Sequence, residues 1–231
     1  MNVAELFCWY IVFLFSVTLH EFAHSWAAKR GGDMTAYKGG QVSLNPLPHI
    51  KREPLGMVVF PVISLFLIGW PFGYASAPYD PFWAARHPRR AAWMAFAGPA
   101  SNLCLVILAA IGIRLGISMG VFGIPDTVHY STITISAGQG WESMAAFMLS
   151  ILFTLNLVLT VLNLIPLPPL DGSSIITLLL NEQTAQKYQQ IVGNPAFGFV
   201  GLMLAWRLFD PLFDAIFLAA LNLIYPGSGF H

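Results

Sequence analysis

Charge is scarce in this chain. Of its 231 residues only eleven are Lys or Arg and eleven Asp or Glu, 10% in all, where soluble domains carry about 25%. The formal net charge is zero, and the Lys and Arg residues sit beside apolar runs rather than in one patch. Nothing therefore points to a nucleic acid or another polyanionic partner. Cysteine is scarcer still. Cys8 and Cys104 each lie in an apolar run and make no CxxC pair, so both read as lipid-facing or core residues. No Lys or Arg precedes Lys29. Without a basic start or a small-residue cleavage site, the first apolar run is expected to be retained rather than removed as a signal peptide. Repeats and a shift of composition are missing too, and 1–231 reads as one integral-membrane domain.

Apolar sequence is what the chain has in excess, at 56% with a mean hydropathy of +0.66. The lipid bilayer is its solvent. Leu6 to Ala28, Ala91 to Ile113 and Ala145 to Ile165 are each long enough to cross a hydrocarbon core of roughly 30 Å at ~1.5 Å per residue. Phe197 to Ile224 is a further apolar region, interrupted near Asp210-Pro211. In it Arg207, Asp210 and Asp214 share a helical face and are expected to neutralise one another. Leu55 to Trp70 is shorter, contains Pro61, and has basic flanks on both sides: Lys51-Arg52 before, and Arg86, Arg89 and Arg90 after. A re-entrant hairpin and a full crossing are both open for it, the former slightly favoured. Around Gly39-Gly40, Thr35 to Asn45 holds two strand-like runs, read as a small β-hairpin at the membrane surface. The predicted fold is thus an all-α polytopic bundle of about 4–6 transmembrane or re-entrant helices plus that hairpin.

Into the first apolar run the sequence sets His20-Glu21-Phe22-Ala23-His24. Ionisable residues at membrane depth are costly and functional by default. Four residues apart, His20 and His24 share a helix face and can reach one cation. Glu21 sits ~100° round the helix, where its carboxylate can serve as a general base beside the metal. A further ligand is needed to complete such a site. Asp171 follows the extended, proline-rich stretch Pro166 to Pro169, but on spacing alone it is equally an N-cap for a helix starting near Ser174. Asn156, Thr160 and Asn163 form a polar stripe on their span. Ala91, Ala95, Gly98 and Asn102 form a face of small residues that allows close helix approach.

Three stretches together, HEFAH at 20–24, AGPASN at 97–102 and NLIPLPPLDG at 163–172, resemble the site-2 protease family of intramembrane zinc metalloproteases, over roughly Leu6 to Leu180. That resemblance sets a catalytic core of about 6–180, with C-terminal membrane spans at about 196–225 placed less firmly. It implies one Zn²⁺ held by His20, His24 and Asp171, with Glu21 as general base. It also implies that Asn102 and Asn163 lie near the site, either touching the substrate backbone or oxyanion or simply tying helices together. His49 matches a family position and is taken as structural. A PDZ-like or nucleotide-sensing domain, present in larger relatives, is absent here. The implied activity is hydrolysis of a peptide bond in or near the transmembrane segment of a membrane-protein substrate. The alternatives are a catalytically silent member that binds membrane proteins and, more remotely, a metal or proton transporter. Lys29, Arg30, Lys38, Lys51 and Arg52 follow the first span, so the expected location is the cell membrane, multi-pass, with the site toward the cytoplasm. Either one edge of the 35–45 hairpin pairs with unwound substrate or the hairpin is a structural flap. Oligomeric state is not legible in the sequence.

Overall fold

The computed structural model describes residues 2–193 and 195–230. Helix α1 (Val3–Gly31) opens with a capping box in which Asn2 and Glu5 satisfy each other's backbone amides, and it closes at Gly32, whose φ of 98° is left-handed. Glycine reaches that conformation without the Cβ penalty. After α1 the chain makes short helices α2 (Thr35–Lys38) and α3 (Pro46–Arg52), then a π-helical turn (Leu55–Val59) leading into α4 (Phe60–Ile68). An extended segment, 69–80, leads to α5 (Pro81–Arg86) and α6 (Pro88–Ser118). Beyond α7 (Trp141–Leu164) come α8 (Asp171–Ile175), a 3₁₀ turn, α9 (Glu182–Val192) and α10 (Pro195–Ile224).

Three of these, α1, α6 and α7, are long and apolar enough to cross a membrane. Helix α6 packs between the other two and runs antiparallel to them. At one end of α1 the Cys8 sulfur lies 3.6 Å from that of Met144 near the start of α7. Farther along, Ser16 meets Asn156, and the Asp171 that follows α7 meets His24. Two apolar clusters fill the bundle. Trp9, Val12, Phe13 and Val17 pack with Met57, Leu65, Ile151 and Leu155, while Val106, Ala109 and Ile113 pack with Phe153, Leu157 and Phe213 of α10.

The β-hairpin expected at 35–45 is not there, and among the described residues the only β pairing is the isolated bridges Gly123 to Ile135 and His129 to Thr132. The reason lies in Asp33. Its buried carboxylate accepts from the Thr35 amide (2.9 Å) and hydroxyl (2.6 Å), and from the Asp80 amide (2.8 Å) across the turn. This holds 35–38 in a helical turn, whose carbonyls then take the amides of Gly39, Gly40 and Gln41. Downstream, His49 donates to the Ser43 carbonyl and Asn45 caps α3 over Pro46. Little of the backbone is left to pair as strands.

The 53–80 segment enters and leaves at the same end of α1. Its outward tip brings Trp70 to Trp9, with ring centroids 4.8 Å apart. On the way back the Tyr74 amide bonds Gly56, Ser76 bonds Glu53 and Arg52, and Asp80 bonds Asp33. With 14 helical residues before its turn, this limb reaches about 21 Å, less than a bilayer core. Helix α10 is continuous through Pro211 rather than broken, a single helix from Pro195 to Ile224. Arg207, Asp210 and Asp214 are exposed on it and form no ion pair with one another, so the expected mutual neutralisation does not occur.

Candidate metal centre

α1 delivers His20 and His24 one turn apart, and both rings are buried with only 8% and 6% of their surface exposed. Their Nε2 atoms face each other at 2.9 Å. From the far side α8 presents Asp171, whose Oδ2 lies 3.2 Å from one Nε2 and 3.3 Å from the other. Asp171 is the first residue of that helix and Leu170 is its N-cap; the carboxylate makes no cap bond. Of the two readings of Asp171, the geometry is that of a ligand. The proline-rich stretch before it keeps the chain out of helix, and a Cβ on Gly172 would collide with the Leu164 and Ile165 carbonyls, so only glycine lets the turn close this tightly.

Tautomers follow from what the other ring nitrogens touch. His24 Nδ1 lies 2.7 Å from the Met94 carbonyl, which can only accept, so that nitrogen carries the proton. His20 Nδ1 lies 2.6 Å from Asn102 Oδ1 and likewise donates. In the neutral imidazoles both Nε2 atoms then turn bare lone pairs toward the carboxylate. The three atoms lie within 4.8 Å of one another, and Asp171 Oδ2 has no hydrogen-bond partner. Acceptors converging in this way repel unless a cation lies among them, and two imidazoles with one carboxylate are a donor set suited to zinc. A Met94-type contact, holding a histidine by its remote N–H, is the usual second support of a metal ligand.

Helix α6 comes unusually close. A Cβ on Gly98 would overlap the Nε2 atoms of both histidines, so the small-residue face of α6 is what admits the imidazole pair. Glu21 is 4% exposed, and its Oε2 has no partner. It lines, with the three candidate ligands, a cavity of about 850 Å³. The wall of that cavity includes Ala75, Ser76 and Ala77 of the extended segment, Tyr79, Asn163 and Gln186.

The two amides expected near the site part company. Asn163 lines the cavity and donates its side-chain N–H to the Leu159 carbonyl. Asn102 is fully buried behind His20 and does not face the cavity. His49 is buried against Ser43, away from the cavity. Sequence reasoning did not single out the Met94 carbonyl, which carries no side-chain signal. For Gly98 it offered only the general pattern of small residues on one face.

Residues 8–206 match the model of peptidase family M50. The chain belongs to that family. Among M50-like relatives, it is 34% identical over 191 residues to a Bacillus subtilis protein named "Putative zinc metalloprotease YwhC", covering 82% of this chain and 75% of the relative. It is 30% identical over 171 residues to "Putative zinc metalloprotease Rip2" of Mycolicibacterium smegmatis, covering 74% of this chain and 56% of that protein. With the protein of the same name from Mycobacterium tuberculosis it shares 28% over 218 residues, 94% of this chain and 72% of the relative. No solved structure matches. The M50 match spans α1 to α7 and Asp171, and ends within α10.

Proposed function

We propose that this M50 member is a zinc-dependent intramembrane peptidase that cuts a membrane-protein substrate in or near its transmembrane segment. The observation carrying the reading is the convergence of His20 Nε2, His24 Nε2 and Asp171 Oδ2 beside the unpartnered Glu21 carboxylate, inside a cavity set among apolar helices. In it, His20, His24 and Asp171 hold the metal. Zinc, when bound, supplies Lewis acidity that acidifies water and polarises a carbonyl. Glu21 takes the proton from the attacking water and passes it to the leaving amine. Asn163 lines the cavity, and in this reading its second amide N–H donates to a substrate carbonyl.

A substrate helix must unwind to be cut, and its freed backbone groups need partners at membrane depth. With 35–45 folded as helix and turn, the extended backbone in reach of the site is that of Ala75 to Ala77, and it is the surface offered to unwound substrate. Three long apolar helices, each contributing to the wall of this cavity, and the basic residues Lys29 and Arg30 at the same end of α1 support a multi-pass cell-membrane enzyme with its site toward the cytoplasmic side.

The test is metal analysis plus cleavage of a panel of membrane-spanning peptides. Wild type should hold near-stoichiometric zinc and cleave. Glu21→Gln should keep zinc and lose at least about 100-fold in rate, while Asp171→Ala should lose zinc. Equal cleavage by wild type and Glu21→Gln would overturn the assignment of the base, and full zinc in a folded Asp171→Ala protein would remove Asp171 from the ligands.

A further inference from the structure

The His20 tautomer is not set by Asn102 alone. An amide side chain can turn either end toward a histidine, and only a fixed group elsewhere decides which. Here the fixed group is on another helix. The backbone carbonyl of Leu152 in α7 can only accept, and it lies 2.8 Å from Asn156 Nδ2. The same Nδ2 also donates to the Ser16 hydroxyl at 2.9 Å. Asn156 must then present Oδ1 on its other side, where it accepts from Asn102 Nδ2 at 2.8 Å. Asn102 Nδ2 has a second acceptor in the Ser16 carbonyl at 3.4 Å. With its amide nitrogen so committed, Asn102 can offer His20 only Oδ1, and His20 must hold its proton on Nδ1. Asn102 and Asn156 are both completely buried, so water does not compete for any of these bonds, and reversing one amide would strand a donor against a donor.

On the basis of the metalloprotease reading, we propose that Asn156 is a positioning residue of the metal centre. It fixes the direction of a three-helix hydrogen-bond chain, Leu152 carbonyl to Asn156 to Asn102 to His20, and so keeps the His20 Nε2 lone pair aimed at the metal position. Asn156 touches neither the candidate ligands nor the cavity. Its neighbour in the polar stripe, Thr160, takes no part: the Thr160 hydroxyl donates to the Asn156 backbone carbonyl. Partners behind a ligating histidine are commonly worth 10- to 100-fold in metal affinity, roughly, when removed. The chain makes Asn156, one step farther back, worth a similar factor, since Asn102 without it keeps only the longer 3.4 Å bond to the Ser16 carbonyl to hold its orientation.

Three substitutions separate polarity from packing. Asn156→Leu keeps bulk and loses polarity. Asn156→Ala serves where leucine overpacks. In Asn156→Asp, burial keeps the carboxyl protonated, so its O–H donates to Leu152 while its carbonyl oxygen accepts from Asn102, and the direction of the chain survives. The whole protein is used in detergent micelles, with zinc affinity by chelator competition, the electronic spectrum of the cobalt-substituted form, and ¹⁵N shifts of the His20 ring in the metal-free form. Leu and Ala should weaken zinc about 10-fold or more, alter the cobalt spectrum and give a mixture of His20 tautomers. Asp should restore all three toward wild type. Thr154→Val, at a fully buried α7 hydroxyl without a partner, should change none of them. Wild-type affinity, spectrum and tautomer in a folded Asn156→Leu or Asn156→Ala protein would overturn the proposal, as would better retention of zinc by Leu than by Asp. Because the tautomer is read without metal, failure of wild type to bind zinc would count against the metalloprotease reading alone.

Discussion

Gly98 and His24 sit so close that a single methyl group on the glycine would occupy the space of the histidine's Nε2. Gly98→Ala is therefore expected to push the imidazoles apart or force α6 away from α1. Overpacking of this kind costs about 1–3 kcal/mol of stability, but the first loss should be in the site. Zinc retention should fall at least about 10-fold, with the helical circular dichroism unchanged. Full zinc binding in Gly98→Ala would show that α6 has slack the structure does not.

Asn102 and Asn163 should fail differently. Removing Asn163 touches only the cavity wall, so Asn163→Ala is expected to keep its zinc and lose turnover by on the order of 100-fold, as loss of one oxyanion donor does. Asn102→Ala should instead lower zinc content first. A metal titration beside single-turnover cleavage separates the two, and an Asn163→Ala protein that cleaves at wild-type rate would take Asn163 out of the chemistry.

Acid should loosen the turn after α1. Burial by itself would raise the Asp33 carboxyl, but hydrogen bonds from the Thr35 hydroxyl, the Asp80 amide and the Thr35 amide outweigh it and hold the group below its ordinary value of 3.8. A carboxylate lowered on folding stabilises fully above its unfolded value and gives that stability up as pH falls through the lower, folded one. Thermal unfolding in micelles should accordingly show a loss below about pH 4 that Asp33→Asn lacks, the variant being less stable than wild type at neutral pH. Parallel pH profiles for the two proteins would mean that Asp33 contributes nothing through its charge.

Orientation can be checked by thiol labelling. In a background where Cys8 and Cys104 are replaced by serine, a cysteine at Lys38 should react with an impermeant reagent from the cytoplasmic side, and one at Asn2 from the outside. The reverse pattern would invert the proposed topology.

How much of this the sequence disclosed depended on whether a residue's partners were close along the chain. The spans α1, α6 and α7 were legible because each carries an apolar run of membrane-crossing length. The pairing of His20 with His24 was legible because helical spacing alone brings them together. Thr35 to Asn45 misled because Gly39-Gly40 between polar runs reads as a hairpin, whereas the deciding bond reaches Asp33 from Asp80, 47 residues away. Asn156 and Asn163 looked alike as members of one stripe. Their opposite fates, one buried against Ser16 and Asn102 and the other on the cavity wall, were fixed by which helices flank α7, and no local pattern records that. Asn102 was expected near the site in either of two roles, and its bonds to His20, Ser16 and Asn156 could not be read from the sequence, because spacing along α6 gives a face and not what lies behind it.

The return of 53–80 to its own side is also a matter of parity. Asp171 follows the last turn of α7 and His24 lies in the last third of α1, so the two meet only if α1 and α7 point the same way. Between parallel helices the chain must run back along the bundle an odd number of times, and α6 is that one return. A second full passage by 55–68 would turn α7 over and carry Asp171 to the opposite face, about the length of a bilayer core from both histidines. Shortening that limb to 14 helical residues is thus what allows two halves of one site, 147 positions apart (171 − 24), to close from the same side.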